Sequence, residues 1–260
     1  MDPDLTALRT LHDQQLRRGA RPAGPGARVE RNGPVVRQTG PAHGWNGVLW
    51  SALSAEDADA AVAAQIRHFR AAGHGFEWKL YAHDTPADLG DRLLAAGFVP
   101  DEPETVMVAE ASAVSAPVPL PEGVELREVT DEEGVRMVVE VHDRAFGGDS
   151  SHLGRRLLDQ LAGAPGTVAA VLALAHGEPV SAARLELPPG SDFAGLYGGG
   201  TVVPWRGKGL YRALVAHRAR VAAAHGRRWV QVDAADTSRP ILARLGFAEL
   251  TRTTPYAYEI

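Results

Sequence analysis

The chain has 260 residues, enough for one large or two small domains that each bury a core. Its 45% hydrophobic and 23% charged content suits a soluble globular protein; no run is long and apolar enough to span a bilayer, and Met1-Asp-Pro-Asp4 opens no signal peptide, so a cytoplasmic protein is expected. With no cysteine there can be no disulfide, thiolate metal site or cysteine nucleophile, and a net charge of −5 argues against a general nucleic-acid binder, which needs a basic field.

In chain order, Arg17-Arg18-Gly-Ala-Arg21 reads as a solvated helix end that complements a helix dipole. Val48-Leu-Trp-Ser-Ala-Leu-Ser54 leads into an alanine-rich helix over residues 55–72, with Ser54 as its cap. A strand carrying Trp78 follows over residues 76–84, and Leu93-Leu-Ala-Ala-Gly97-Phe98 closes the next helix. Residues 109–123 hold three prolines among small residues without periodicity and read as an extended linker.

Beyond the linker, Val124-Glu-Leu-Arg-Glu-Val129 alternates as a strand, and Thr130 caps a helix whose apolar face includes Val135, Val138, Val139 and His142. A short helix over 153–161 precedes two paired strands, 167–175 and 179–187, joined by the turn His176-Gly-Glu178. Residues 193–203 form another strand, in which Gly198-Gly-Gly200 predicts a bulge or a close approach by a ligand. The strand–helix alternation at the end predicts a mixed α/β sheet with helices on its faces.

The most informative stretch runs from Thr201 to Tyr211: an apolar strand end, a turn through Pro204, then Arg206-Gly-Lys-Gly209 opening the helix 210–224. Unpaired N–H groups and the positive end of a helix dipole hold phosphate oxygens, and glycines let the backbone come close to an anion. Walker spacing is absent, because Val202 stands six before Lys208 and Gly209 follows it. Gly198-Gly-Gly200 also lacks the later glycine and acidic residue of a dinucleotide fingerprint.

This loop resembles the Arg/Gln-x-x-Gly-x-Gly/Ala acetyl-CoA loop of the GNAT N-acetyltransferases, with Tyr211 where the family places Gly or Ala. Trp229-Val-Gln-Val-Asp233 and the helix ending Leu-Gly246-Phe247 follow in the family's order, so the resemblance covers residues 124–260. It implies the GNAT acyl-CoA N-acyltransferase fold, α/β with a mixed sheet, and an acetyl-CoA-dependent N-acetyltransferase acting by direct transfer in a ternary complex. The first half echoes the second: Trp78 and Gly97-Phe98 parallel Trp229 and Gly246-Phe247, but no Arg-Gly-x-Gly precedes its helix. A tandem chain is therefore expected, with a degenerate GNAT-like domain over 1–108, the linker 109–123, and the acetyltransferase domain over 124–260.

The resemblance implies that Val202 and Val203 bind the pantetheine and acyl carbonyl through backbone groups, and that Arg206, Gly207, Lys208, Gly209, Leu210 and Tyr211 bind the pyrophosphate. The family's general-acid tyrosine falls on Leu242, which has no hydroxyl. Tyr211 and Tyr197 are substitutes for it, unless they only pack. Ser238 either caps its helix or touches the cofactor. Asp233 and Glu186, at strand ends, are the candidate bases, against helix-start hydrogen bonding and solvated edge charge respectively. His152, in Asp149-Ser-Ser-His152, is a substrate-contact candidate or part of an exposed loop.

The ten histidines form no metal signature, so no metal is expected. Arg218, Arg220, Arg227 and Arg228 read as solvated helix ends. A small-molecule or peptide amine is the expected acceptor, with no nucleic-acid or membrane partner and a monomeric or homodimeric chain. The alternative is a catalytically silent acyl-CoA-binding or regulatory protein.

Overall fold

The computed structural model describes residues 4–260, so residues 1–3, the start of the segment read above as no signal peptide, lie outside it. Two compact units emerge: residues 1–107, 233–240 and 249–260, and residues 108–232 with 241–248. This division differs from the expected cut at 108 and 124, because the end of the chain belongs with the first unit.

In the first unit, Asp4 caps α1 (Leu5–His12) by accepting from the Thr6 and Ala7 N–H groups, and the helix runs on as a π-helical turn, Asp13–Arg18. β1 (Arg28–Asn32), β2 (Val35–Thr39) and β3 (Gly47–Ser51) form an antiparallel meander. Ser54 caps only the turn ahead of α2 (Ala58–Ala72), its Oγ accepting from the Asp57 N–H. β4 (Phe76–Tyr81) then pairs in parallel with β3, and α3 (Leu89–Ala95) and β5 (Val99–Pro100) follow. Phe69 stacks on Phe76 at 4.1 Å between centroids, and Trp78 and Leu93 complete a dry core around them. β6 (Glu104–Glu110) carries the chain from this unit into the next.

The stretch read as a linker is packed structure over its first residues. Ala111 donates to the Arg228 carbonyl at 2.8 Å and is buried, and the short helical turn Ala111–Val114 packs on the long helix that starts at Leu210. Small side chains permit that contact, so the alanines mark close packing rather than slack chain.

The second unit has β7 (Val124–Glu128), α4 (Glu132–Phe146), α5 (Ser151–Gly163), β8 (Val168–Ala175), β9 (Glu178–Glu186), β10 (Phe193–Thr201), α6 (Leu210–Ala224), β11 (Trp229–Ala234) and α7 (Arg239–Arg244), the last two ending or starting in the first unit. Asp131, not Thr130, caps α4: its Oδ1 accepts from the Gly134 N–H at 2.7 Å. Strand order is β7-β8-β9-β10-β11, antiparallel until the final parallel pair. β8 and β9 are buried on both faces, under α4 and α5 on one side and α6 on the other, which is why their Val/Ala/Leu runs do not alternate with polar residues. The expected turn between them is present, with His176 and Gly177 both at positive φ.

β12 (Ala248–Tyr258) pairs antiparallel with β4 and β5 of the first unit, Tyr256 opposite Trp78. Both units nevertheless carry the same motif: two parallel strands joined by a 15-residue helix, then a short helix ending in Gly-Phe. Phe98 donates to the Leu93 carbonyl at 3.0 Å and Phe247 to Leu242 at 3.1 Å, with Gly97 and Gly246 both at positive φ.

Candidate active site

The loop after β10 is built from its backbone. The buried Val202 donates to the Val180 carbonyl at 3.0 Å, and its own carbonyl accepts from Trp205 at 2.9 Å, closing a tight turn through Pro204 that leaves the Val203 side chain exposed. Gly207 and Gly209 follow with φ of 75° and 86°, the region that favours glycine. Ala213 is the first residue of α6 whose N–H reaches a carbonyl, Gly209 O at 3.1 Å. Among the described residues, the N–H groups of Gly207, Lys208, Gly209 and Leu210 donate to no backbone carbonyl. They stand at the positive end of a 15-residue helix. A Cβ on Gly207 would meet nothing within 4 Å, so the chain is open to solvent on that side of Gly207.

The two cations have other duties. Arg206 donates from Nε to the Thr201 carbonyl at 3.0 Å and from Nη2 to the Ala145 carbonyl at 2.8 Å, latching the loop to the end of α4. Its N–H donates to Val203 O, so Arg206 shapes the loop rather than lining it. Lys208 Nζ lies 4.3 Å from the centroid of the Trp205 ring. Leu210 is a core residue.

Beside the loop, the sheet opens. β10 and β11 pair only through Phe193↔Trp229, Ala194↔Val230 and Gly195↔Gln231. The register of β10 against β9 shifts between Tyr197 and Gly200, as the three glycines predict. Three side chains hold the bulge. His142 Nε2 donates to the Gly198 carbonyl at 2.9 Å; burial lowers its pKa and so favours the neutral ring. Ser181 Oγ donates to the Gly200 carbonyl at 2.7 Å. Arg218 donates from Nη1 to the carbonyls of Arg184 at 2.9 Å and Tyr197 at 3.2 Å.

Arg218 is thus no solvated helix end. It is 3% exposed, and burial pushes its pKa down to about 10. Gly199, at the apex of the bulge, is exposed, and a Cβ there would stand 3.6 Å from the Tyr211 ring. The structure therefore brings Tyr211 to the bulge. Tyr197 is turned elsewhere, its hydroxyl accepting from Gln231 Nε2 at 2.6 Å across the opening strands.

The two carboxylates expected as bases are both ion-paired. Glu186 accepts from Arg156 at 2.9 Å and lies 3.2 Å from Arg184. Asp233 pairs with Lys79 within the first unit. Its neighbour Glu104, which sequence reasoning passed over, is pushed up to about 7 by burial and by the Asp233 charge, against the pull of Lys79. Only its position just ahead of the apolar run Val106-Met-Val-Ala109 could have flagged it. Ser238 Oγ donates to the Ala235 carbonyl at 3.0 Å in the turn before α7. Leu242 is fully buried, and His152 is exposed. Among the described residues there is no cluster of His, Asp or Glu that could hold a metal, and no helix is long and apolar enough to cross a membrane.

The first unit lacks an equivalent opening. β3 and β4 pair only through Gly47↔Glu77 and Val48↔Trp78, and the gap beyond is filled by Arg17, which is 2% exposed rather than solvated. Its Nε donates to Leu49 O at 3.1 Å, Nη2 grips both oxygens of Asp84, Nη1 reaches Asp13 at 2.9 Å, and the guanidinium lies 3.7 Å from the Tyr81 ring centroid.

No family model matches the chain, and no curated protein matches it. Solved structures do. A GCN5-related N-acetyltransferase from Kribbella flavida aligns with a TM-score of 0.70 at 18% identity, over 99% of this chain and 96% of that one. A functionally unknown conserved protein from Staphylococcus epidermidis aligns at 0.71 and 14%, over 97% and 99%. A tandem GNAT protein from the clavulanic acid biosynthesis pathway aligns at 0.62 and 15%, over 93% and 86%. The chain therefore has the GNAT fold, in tandem form, over nearly its whole length.

Proposed function

We propose that the chain is an acyl-CoA-dependent N-acyltransferase that uses acetyl-CoA and transfers its acyl group directly to an amine. The supporting observation is that β10 carries the bulge at Gly198–Gly200 and leads, through the turn Val203–Trp205, into the loop whose N–H groups from Gly207 to Leu210 meet no backbone carbonyl. The loop fits a diphosphate, having glycines at positive φ, uncommitted N–H groups and a helix dipole behind them. Between the two, both backbone groups of Val202 and the Val203 carbonyl are spent within the sheet and the turn, which leaves the Val203 N–H to meet the pantetheine arm.

When bound, acetyl-CoA supplies a thioester whose carbonyl needs a hydrogen-bond donor and whose sulfur leaves as a thiolate. Gly199, exposed in the bulge, is the residue whose N–H suits the first task. The nearness of Tyr211 to Gly199 supports its hydroxyl as proton donor for the second, although a thiol of pKa about 8.5 also leaves without strong acid help. The attacking amine must be neutral. For an α-amine near 8 that costs under about 1.5 kcal/mol at neutral pH, against roughly 4–5 for a lysine-like amine. With Glu186 and Asp233 both ion-paired, a weakly basic amine is the better acceptor.

Those ion pairs, and Leu242 at the family's tyrosine position, support a second reading, a silent acyl-CoA-binding protein. CoA release from acetyl-CoA across a panel of amino acids, polyamines, aminoglycosides and peptides separates the two. Sustained turnover on any amine is expected; saturable acetyl-CoA binding without turnover would leave the silent reading standing.

A further inference from the structure

Arg184 stands in the middle of β9, opposite Tyr197 in the register, and its side chain leaves the sheet on the face covered by α4 and α5. It is 8% exposed, yet among the described residues its Nε and Nη1 have no hydrogen-bond partner. The third nitrogen, Nη2, shares Glu186 Oε1 with Arg156, at 3.2 Å and 2.9 Å. Two guanidiniums therefore divide one carboxylate, which leaves an unbalanced positive charge in a desolvated position.

Nearby groups do not cancel it. Tyr197 offers Arg184 its ring, 6.0 Å from the guanidinium carbon, and Gln231 holds that tyrosine's hydroxyl. His142 is kept neutral by burial and by the Arg184 charge, although its bond to Gly198 pulls the other way. Arg218 is a further cation, using the Arg184 backbone carbonyl.

A buried guanidinium with spare donors is costly as structure, since each unmade hydrogen bond leaves a desolvated N–H unpaired. It is well suited to an incoming anion, above all a planar carboxylate. The place is telling: a Cβ built on Gly198 would lie 3.9 Å from Arg184 Cβ and 3.3 Å from His142 Nε2, so Arg184 borders the bulge from the face opposite α6.

We propose that the amine acceptor also carries a carboxylate and that Arg184 binds it, making the substrate a free amino acid or the C-terminal end of a short peptide. The word acceptor rests on the acyl-transfer reading, but the carboxylate binding is measurable with no acyl donor present.

The test is calorimetry on the full chain with β-alanine against β-alaninamide, and glycylglycine against glycylglycinamide. At least one acid is expected to bind tenfold or more tighter than its amide, and which pair shows the difference tells the free amino acid from the peptide. Arg184→Gln should abolish that preference and Arg184→Lys should keep part of it. Equal binding of acid and amide in both pairs, no binding of any probe, or an undiminished preference in Arg184→Gln would each overturn the proposal; the acid–amide comparison on the unaltered protein needs no variant to fold. Acetyl-CoA is titrated separately. Carboxylate preference without acetyl-CoA uptake sinks the acyl-transfer reading while leaving the Arg184 subsite, and acetyl-CoA uptake without the preference sinks only the subsite.

Discussion

Arg17 Nε meets the Leu49 carbonyl at 3.1 Å, just past the residue where β3 and β4 stop pairing. In the second unit the corresponding strands, β10 and β11, stop pairing after Gly195 and Gln231. The two units share a strand–helix–strand motif, but in the first a guanidinium occupies the opening and satisfies its backbone. The first unit has no counterpart of Arg206-Gly-Lys-Gly209 before α2, and the guanidinium stands where its strands part.

Arg17→Ala should therefore destabilise the first unit strongly, because it strands Asp84 and Asp13 without their cation. Breaking one side of a buried charge cluster typically costs about 3–5 kcal/mol. Chemical denaturation is the measurement, and a loss below about 1 kcal/mol would mean that water replaces the guanidinium freely. Acetyl-CoA stoichiometry should stay at one per chain in the unaltered protein.

Gly207→Asp should weaken acetyl-CoA binding at least tenfold, a loss of about 1.4 kcal/mol or more. The new carboxylate would project into space that is otherwise open, next to amides suited to a diphosphate, and the φ of 75° adds backbone strain. Calorimetry decides the matter: unchanged affinity, in a variant that still unfolds cooperatively, would remove the loop from the donor site.

The parts of this site that could be read from sequence are those written in local backbone chemistry. Gly207 and Gly209 mark positive φ, Gly198-Gly-Gly200 marks the bulge, and the Gly-Phe endings mark two matching helix stops. What could not be read depends on partners distant in the chain. β12 follows Phe247 as if to finish the second unit, yet it pairs with β4, Tyr256 opposite Trp78. β1 is an exposed edge with no alternation to betray it. Arg17, Arg184 and Arg218 look alike in a sequence, since a cation is solvated by default. Each is buried here because carbonyls, carboxylates or an aromatic ring gather around it, and no local pattern encodes that gathering.

Glu104 gives the first unit a pH dependence of definite sign. Burial, chiefly, and the Asp233 charge raise its pKa from the ordinary 4.5 to about 7 in the folded protein. The folded state thus binds a proton that the unfolded chain releases near 4.5. The stabilisation this lends is complete below about 4.5, falls away as pH rises towards 7, and is absent above it. Denaturation midpoints should decline across that window, and Glu104→Gln should flatten the decline. A profile with the same slope in both proteins would assign the titration to another group.

Gly195→Ala isolates the opening between β10 and β11 from any charge effect. Gly195 does not adopt positive φ, so a side chain is tolerated by the backbone, but a Cβ would stand 2.3 Å from Tyr197 Cε2. The ring must leave, and with it goes the hydrogen bond from Gln231 Nε2 to the Tyr197 hydroxyl at 2.6 Å. Overpacking of this kind costs about 1–3 kcal/mol. Tyr197→Phe removes only the hydrogen bond and should cost about 1 kcal/mol. If Tyr197 orders the face on which Arg184 lies, both variants should weaken acid-over-amide discrimination, the alanine more than the phenylalanine, while acetyl-CoA affinity changes less than threefold. Equal discrimination in both variants and the unaltered protein would show that the ring fills space without shaping the acceptor side.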